Sequence, residues 1–231
     1  MNDKHERPDL SLFMASAAHD MKNSVSMLSG MLEAILMEAG AKELPAYRQL
    51  AHMLYETKRL NNNLIQLLAL YKAVGSSSYP YDPQMQSIEQ FVAEVGAQNR
   101  TLFESKDIVF ETDFAADLIW CFDEDLVLGV VGHALNNAIH YTHDKVCLVI
   151  RASGDFLEIR VEDNGKGFPP AMLEAGTAIE RGVDFSTGST GLGLYFSSEV
   201  ARMHRHRGRV GSVALENGGT WGGGCFVLRL P

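Results

Sequence analysis

Apolar residues recur at alternating steps of four and three from about Pro8 to Ala39, through Met14, Ala18, Met21, Val25, Leu28, Leu32 and Ile35. That spacing places them on one stripe of a helix and marks a heptad seam. Gly40 and Ala41 interrupt it, and Pro45 stands where the first turn of a new helix tolerates a missing N–H. A second seam then runs through Leu50, Met53, Thr57, Leu60, Leu64, Leu67 and Tyr71. The pair reads as a helical hairpin. Two such helices alone leave much of their apolar faces wet, so the pattern predicts a second hairpin as cover, a homodimeric four-helix bundle.

The periodicity changes beyond Gly75 to Pro83 (GSSSYPYDP), a linker by composition. The predicted domains are a hairpin over 1–76, a linker over 77–83 and a second domain over 84–231. In that second domain, Ser87 to Phe103 reads as a helix, Ile108 to Thr112 and Leu118 to Phe122 as strands, and Asp123 to Tyr141 as a helix with an apolar stripe. Val146 to Ala152 and Leu157 to Glu162 form strands that a Gly154-Asp155 turn joins as a hairpin. Leu194 to His204 is a helix, and Arg209 to Leu215 and Cys225 to Leu230 are strands flanking a glycine-rich turn. The sum is an α/β sandwich, a mixed sheet against helices.

Composition is that of an ordinary globular protein of 231 residues. A formal net charge of -9 argues against a nucleic-acid binder, since counterion release needs a basic surface. The single basic cluster, Arg202 to Arg209, is read as a solvated helix end. Cys121, Cys147 and Cys225 lack CxxC spacing and sit in apolar contexts, which reads as three reduced core residues of a cytoplasmic protein. No apolar run approaches the roughly 18 residues that cross a bilayer, and the first residues do not read as a signal peptide. Any external signal is then expected to arrive through another protein or an upstream domain.

The chemistry concentrates between Val161 and Leu194. Asp163 closes the alternating strand LEIRVED and is followed by Asn164, Gly165, Lys166 and Gly167. Without a Cβ at Gly165 and Gly167, the backbone turns sharply and a planar base approaches closely. The second cluster, Gly188, Gly191 and Gly193, leads into a helix, whose free N–H groups and dipole suit a polyphosphate. On the helix upstream, His133, Asn137 and Tyr141 lie four apart and share a face, flanked by Asn136 and His140. A hard oxygen such as the Asn137 carbonyl suits magnesium, which otherwise takes phosphate and water ligands. The plain alternatives are surface turns for the glycines and a wet helix face for the asparagines. In the first helix, His19 falls off the apolar stripe, next to Asp20, a carboxylate that holds the proton on one imidazole nitrogen and sharpens the other as a nucleophile. Asn23 lies one turn further on the same face. His5, His52, His143, His204 and His206 have no comparable partner and read as inert surface.

The segments LNNAIHYT, VEDNGKGF and GSTGLGL resemble the N, G1 and G2 boxes of the ATP-binding (Bergerat, or GHKL) fold shared by histidine kinases, type II topoisomerases and MutL-like repair proteins. AAHDMKNSVSML resembles the H box of bacterial sensor histidine kinases in particular, and the terminal GRVGSVALENGGTWGGGCFVLRLP is similar to the last hairpin of their catalytic domain. The resemblance implies ATP and magnesium as ligands. It implies that Asp163 accepts from the adenine amino group, that Gly165 and Gly167 turn beneath the base, and that Asn137 ligates magnesium. His140 and Tyr141 then lie beside the nucleotide, Gly191, Leu192 and Gly193 at the hinge of a lid, and Phe185 as that lid's aromatic anchor. His133 replaces the first Asn of the N box at a metal-facing position. Because neutral imidazole is a poor magnesium ligand, this implies weaker metal binding or coordination by Asn137 and water alone.

By the same resemblance, His19 is the phosphoacceptor, the activity is ATP-dependent autophosphorylation with relay to a response regulator, and Asn23 serves dephosphorylation of that regulator. A protein-serine kinase on the same fold would lack the histidine hairpin, and a histidine phosphotransfer scaffold would lose the glycine clusters. Both features are present here.

Overall fold

The computed structural model describes residues 10–38, 45–74, 81–175 and 192–231. The chain divides into two compact units, Met1–Tyr79 and Pro80–Pro231. Among the described residues no helix is long and apolar enough to cross a membrane.

The first unit holds two helices, α1 (Leu10–Met37) and α2 (Tyr47–Val74). They run antiparallel. Glu33 pairs with Lys58 and Asn61 accepts from Ser26, so residues advancing along α1 meet residues receding along α2. The face of α1 turned inward carries Ser29 and Leu36, one heptad apart, against Ala51, Leu54 and Tyr55 of α2. Several residues of the predicted seams stay outside this contact. Met21, Leu28 and Ile35 on α1, and Met53 and Leu60 on α2, are exposed, as are Met27 and Met31. Within one chain the helices therefore use only part of their apolar surface on each other.

The second unit begins with β1 (Gln84–Ser87), which runs straight into α3 (Ile88–Ser105), Ser87 capping the helix through its hydroxyl at Gln90 N–H. There follow β2 (Val109–Phe114), β3 (Ile119–Phe122), α4 (Glu124–Tyr141), β4 (Lys145–Ser153) and β5 (Phe156–Asp163). After them come α5 (Pro170–Ala175), α6 (Leu192–Met203), β6 (Arg205–His206), β7 (Arg209–Val210), β8 (Ser212–Gly218) and β9 (Gly223–Leu230). Five strands form one mixed sheet in the order β2-β4-β5-β9-β8, parallel only between β2 and β4. β1 and β3 make a separate antiparallel pair.

Strand alternation sorts the sheet into two faces. Leu157, Ile159 and Val161 of β5 sit opposite Ala152, Ile150 and Leu148 of β4 and Leu230, Leu228 and Phe226 of β9. This side packs under the helices, whose buried stripes include Phe91 and Val95 on α3, Val127, Val130 and Leu135 on α4, and Phe196 and Val200 on α6. Gly129 lets the Phe196 ring come within 3.5 Å of where a Cβ would stand, closing α4 onto α6. The opposite face carries Arg160 at the centre of an ion-pair cluster with Glu158, Glu162 and Glu216, extended by Arg229. Burial opposes the Arg160 charge, but its bonds to Glu162 and Glu158 outweigh that and raise its pKa.

Three expectations need correction. Cys147 and Cys225 are buried, and burial lifts their thiols to about 11 and about 12, but Cys121 is exposed. It lies on the two-stranded β1–β3 pair, outside the five-stranded sheet. The predicted strand Arg209 to Leu215 is split at Gly211, where a Cβ would stand 2.4 Å from the Ala201 carbonyl oxygen. Its first half pairs with β6 instead of joining the sheet.

His204 is the third. It is 2% exposed, its Nδ1–H donates to the Val200 carbonyl (2.8 Å), and its Nε2 accepts the Asp123 N–H (3.1 Å). Asp123 in turn caps α4 through Leu126 N–H and accepts the Asp82 N–H (3.0 Å), while Tyr81 lies edge-on to the imidazole. The histidine ties the end of α6, the start of α4 and the first residues of this unit into one buried joint.

Candidate nucleotide site

Asp163 is the last residue of β5 on the side that faces the helices, two beyond Val161. It stands at the end of the strand, only 8% exposed. Its Oδ1 accepts the N–H of Gly165 (2.7 Å) and of Gly224 (3.2 Å). Among the described residues Oδ2 accepts no hydrogen bond.

The turn after Asp163 is built against backbone. A Cβ at Gly165 would stand 2.2 Å from the Tyr141 carbonyl oxygen, so the turn and the last residue of α4 touch. Gly167 has φ of +76°, and a Cβ there would meet Asn217 Oδ1 at 2.7 Å. Side chains that carried no signal in the sequence hold this turn. Asn164 Oδ1 gathers the N–H groups of His143, Asp144 and Lys145 with the Thr142 hydroxyl, while its Nδ2 donates to Asp144 (2.7 Å). Asn217 accepts from Phe168 N–H (2.7 Å) and donates to its carbonyl (2.9 Å), pinning the turn to β8. Asn164 was at least adjacent to the glycines. Asn217, some fifty residues away in a glycine-rich stretch, had no local signature.

The face of α4 predicted from the four-residue spacing is present. His133 is partly covered, Asn137 is exposed and Tyr141 is 64% exposed, with His140 ring-edge to Tyr141. At its upper end Gly193, near the start of α6, lies so close to His133 that a Cβ would meet the imidazole at 1.9 Å. At its lower end the Tyr141 carbonyl meets Gly165. Gly193, His133, Asn137, Tyr141, Gly165 and Asp163 thus form one continuous line from the N-terminus of α6 to the end of β5. Phe185 and Gly191 lie outside the described residues, as does the Leu192 side chain.

His133 was expected at the metal. Its Nε2 lies 3.1 Å from Asn137 Nδ2, one helical turn along α4. Burial lowers its pKa to about 4, which keeps the ring neutral and able to accept. Among the described residues no group of three or more His, Cys, Asp or Glu side chains gathers to hold a metal. The donor set fits magnesium in its substrate-bound manner, with Asn137 Oδ1 as a hard amide oxygen on this face.

In the first unit His19, Asp20 and Asn23 lie on α1. Asp20 and Asn23 are exposed, and Ser24 Oγ donates to the Asp20 carbonyl (3.0 Å). The His19 side chain lies outside the described residues.

Residues 122–231 match the family described as the histidine kinase-, DNA gyrase B-, and HSP90-like ATPases. Most of the second unit therefore has the α/β ATP-binding fold of that class. The chain as a whole is a homologue of sensor histidine kinases. It is 28% identical over 227 residues to the sensor-like histidine kinase SenX3 of Mycolicibacterium smegmatis, covering 95% of this chain and 56% of that protein. The solved catalytic domain of histidine kinase ThkA superposes with a TM-score of 0.54 at 21% identity, over 65% of this chain and 95% of that one. Full-length ShkA, solved in complex with AMPPNP, matches 94% of this chain and 45% of its own length, with a TM-score of 0.58 at 18% identity. The chain spans about half the length of the curated relatives it matches.

Proposed function

We propose that this chain is the dimerising and catalytic core of a protein-histidine kinase, with a phosphoacceptor hairpin over 1–76 and an ATP-binding domain over 84–231. The observation that carries the reading is the continuous line from Gly193 to Asp163, within a domain whose relatives are sensor histidine kinases. The adenine amino group donates to Asp163 Oδ2, the base lies over Gly165 and Gly167, and the triphosphate runs past Tyr141 and Asn137 towards the first N–H groups of α6. Asn137 Oδ1, together with phosphate oxygens and water, would hold magnesium, which would supply neutralisation of phosphate charge.

A His19 ring nitrogen attacks the γ-phosphorus in line. The N–P bond forms as the bond to the bridging oxygen breaks, and ADP leaves with that electron pair. Asp20 holds the proton on the other ring nitrogen, stabilising the charge that develops on the imidazole. The phosphoryl group then passes to an aspartate on a response regulator, and the Asn23 amide orients a water for the reverse removal. The apolar residues exposed on α1 and α2 support a homodimer in which a second hairpin covers them. Input comes from a separate sensor or an upstream domain, and the setting is cytoplasmic.

The reading is tested with γ-labelled ATP and magnesium. The protein should acquire label that acid removes and base spares, and Asp163→Asn should acquire far less at limiting ATP. Acid-stable label would place the phosphate on a hydroxyl and end the histidine assignment.

A further inference from the structure

His133 looks like a defect in a metal site, since an imidazole stands where the resemblance expects an amide. Its surroundings argue for a different role. The ring is wedged against Gly193, leaving no room for even one carbon there, so it is fixed by packing before any ligand arrives. Its Nε2 lies 3.1 Å from Asn137 Nδ2, one helical turn away, and because an amide nitrogen only donates, this pairing calls for the Nδ1–H tautomer with the Nε2 lone pair accepting.

An amide is planar, with its nitrogen and oxygen on opposite sides of the Cγ. Whatever fixes Nδ2 therefore also fixes Oδ1. With Nδ2 held at the ring, Oδ1 points away from it on an exposed side chain and accepts no hydrogen bond among the described residues. We infer that His133 is a positioning residue for magnesium, one that never touches the ion but holds the Asn137 amide with its oxygen outward. Free rotation would otherwise present the NH2 group, a donor with no affinity for a cation, about half the time. The second partner of the ring matters too. Because Gly193 sits at the start of α6, where the phosphates are placed, the imidazole couples the position of the metal ligand to that of the phosphate-binding backbone. This inference rests on the proposed ATP site and adds to it a residue that acts through another.

The test is the ratio of the ATP dissociation constants without and with magnesium, measured by calorimetry on the whole chain with EDTA or magnesium present. His133→Phe keeps a ring against Gly193 but has no acceptor. His133→Gln places an oxygen near the former Nε2. The expected result is that Phe lowers the magnesium ratio about tenfold, as loss of an outer-shell partner does, and that Gln restores most of it. A purely structural role would not separate the two variants. Equal ratios for wild type and Phe, or equal losses for Phe and Gln, would overturn the inference. If the wild type binds no ATP under either condition, the ATP site itself falls instead. Should the Phe variant not fold, the 15N shifts of the His133 ring in the wild type decide: an Nδ1–H tautomer supports the role, and a proton on Nε2 excludes it.

Discussion

Replacing Asp163 by Asn separates the nucleotide site from the fold that carries it. The carboxylate divides its work. Oδ1 accepts two backbone N–H groups, from Gly165 and Gly224, and Oδ2 accepts nothing among the described residues. An asparagine keeps Oδ1 on those amides only by turning its NH2 group to the side where the proposed adenine amino group would meet it donor to donor. The opposite rotamer sets the NH2 against both N–H groups, so neither orientation satisfies both sides. The loss is one charge-assisted hydrogen bond, about 1.5–3 kcal/mol, with an added penalty of about 1 kcal/mol for the unpaired donors. ATP affinity should fall on the order of 100-fold, since each 1.4 kcal/mol is tenfold. Calorimetric titration with ATP reads this, and a melting curve of the same variant checks the fold. An unchanged dissociation constant in a folded variant refutes the assignment of Asp163 to the base. A collapse of the melting temperature would show that its chief role is bracing the turn.

Gly165→Ala forces a Cβ to within 2.2 Å of the Tyr141 carbonyl, an overpacking worth about 1–3 kcal/mol, and should lower both the melting temperature and ATP affinity. A variant with wild-type melting and binding would mean that the turn yields freely. Asn23→Ala should still be labelled at His19 while losing dephosphorylation of the cognate regulator; equal dephosphorylation rates return Asn23 to the surface. His204, its pKa lowered by burial, makes stability depend on pH. Below about 6.5 the unfolded chain takes up the proton that the folded ring resists, so this contribution is whole above that pH and wanes as the pH falls towards the lowered folded value. Melting of the wild type should therefore fall more steeply from pH 7 to pH 5 than melting of His204→Gln; parallel curves contradict the buried neutral state.

Features whose cause is local were legible in the chain. The helical state of α1 and α2, the alternation in β5, the Gly154-Asp155 turn and the four-residue spacing of His133, Asn137 and Tyr141 all follow from periods of a single element. What escaped depends on partners far along the chain. Gln84–Ser87 is a polar stretch that becomes a strand only because Ile119–Phe122 pairs with it. His204 stands in RMHRHRGR, which reads as wet, yet Tyr81, Asp123 and Val200 close around it. The spacing that put His133 beside Asn137 foretold their proximity, but Gly193 on another helix determines how the ring is oriented. Cys121 misled for the converse reason: its apolar neighbours belong to a two-stranded pair apart from the main sheet, on which the thiol is exposed.

The central claim is that the phosphoryl group of ATP comes to rest on His19. Incubation with ATP and magnesium, followed by mass spectrometry of the protein digested at neutral to alkaline pH, locates it directly. The account predicts a phosphorylated imidazole in the peptide carrying His19 and none in a His19→Gln variant. Phosphate on any other residue of the wild type, with His19 unmodified, would contradict it.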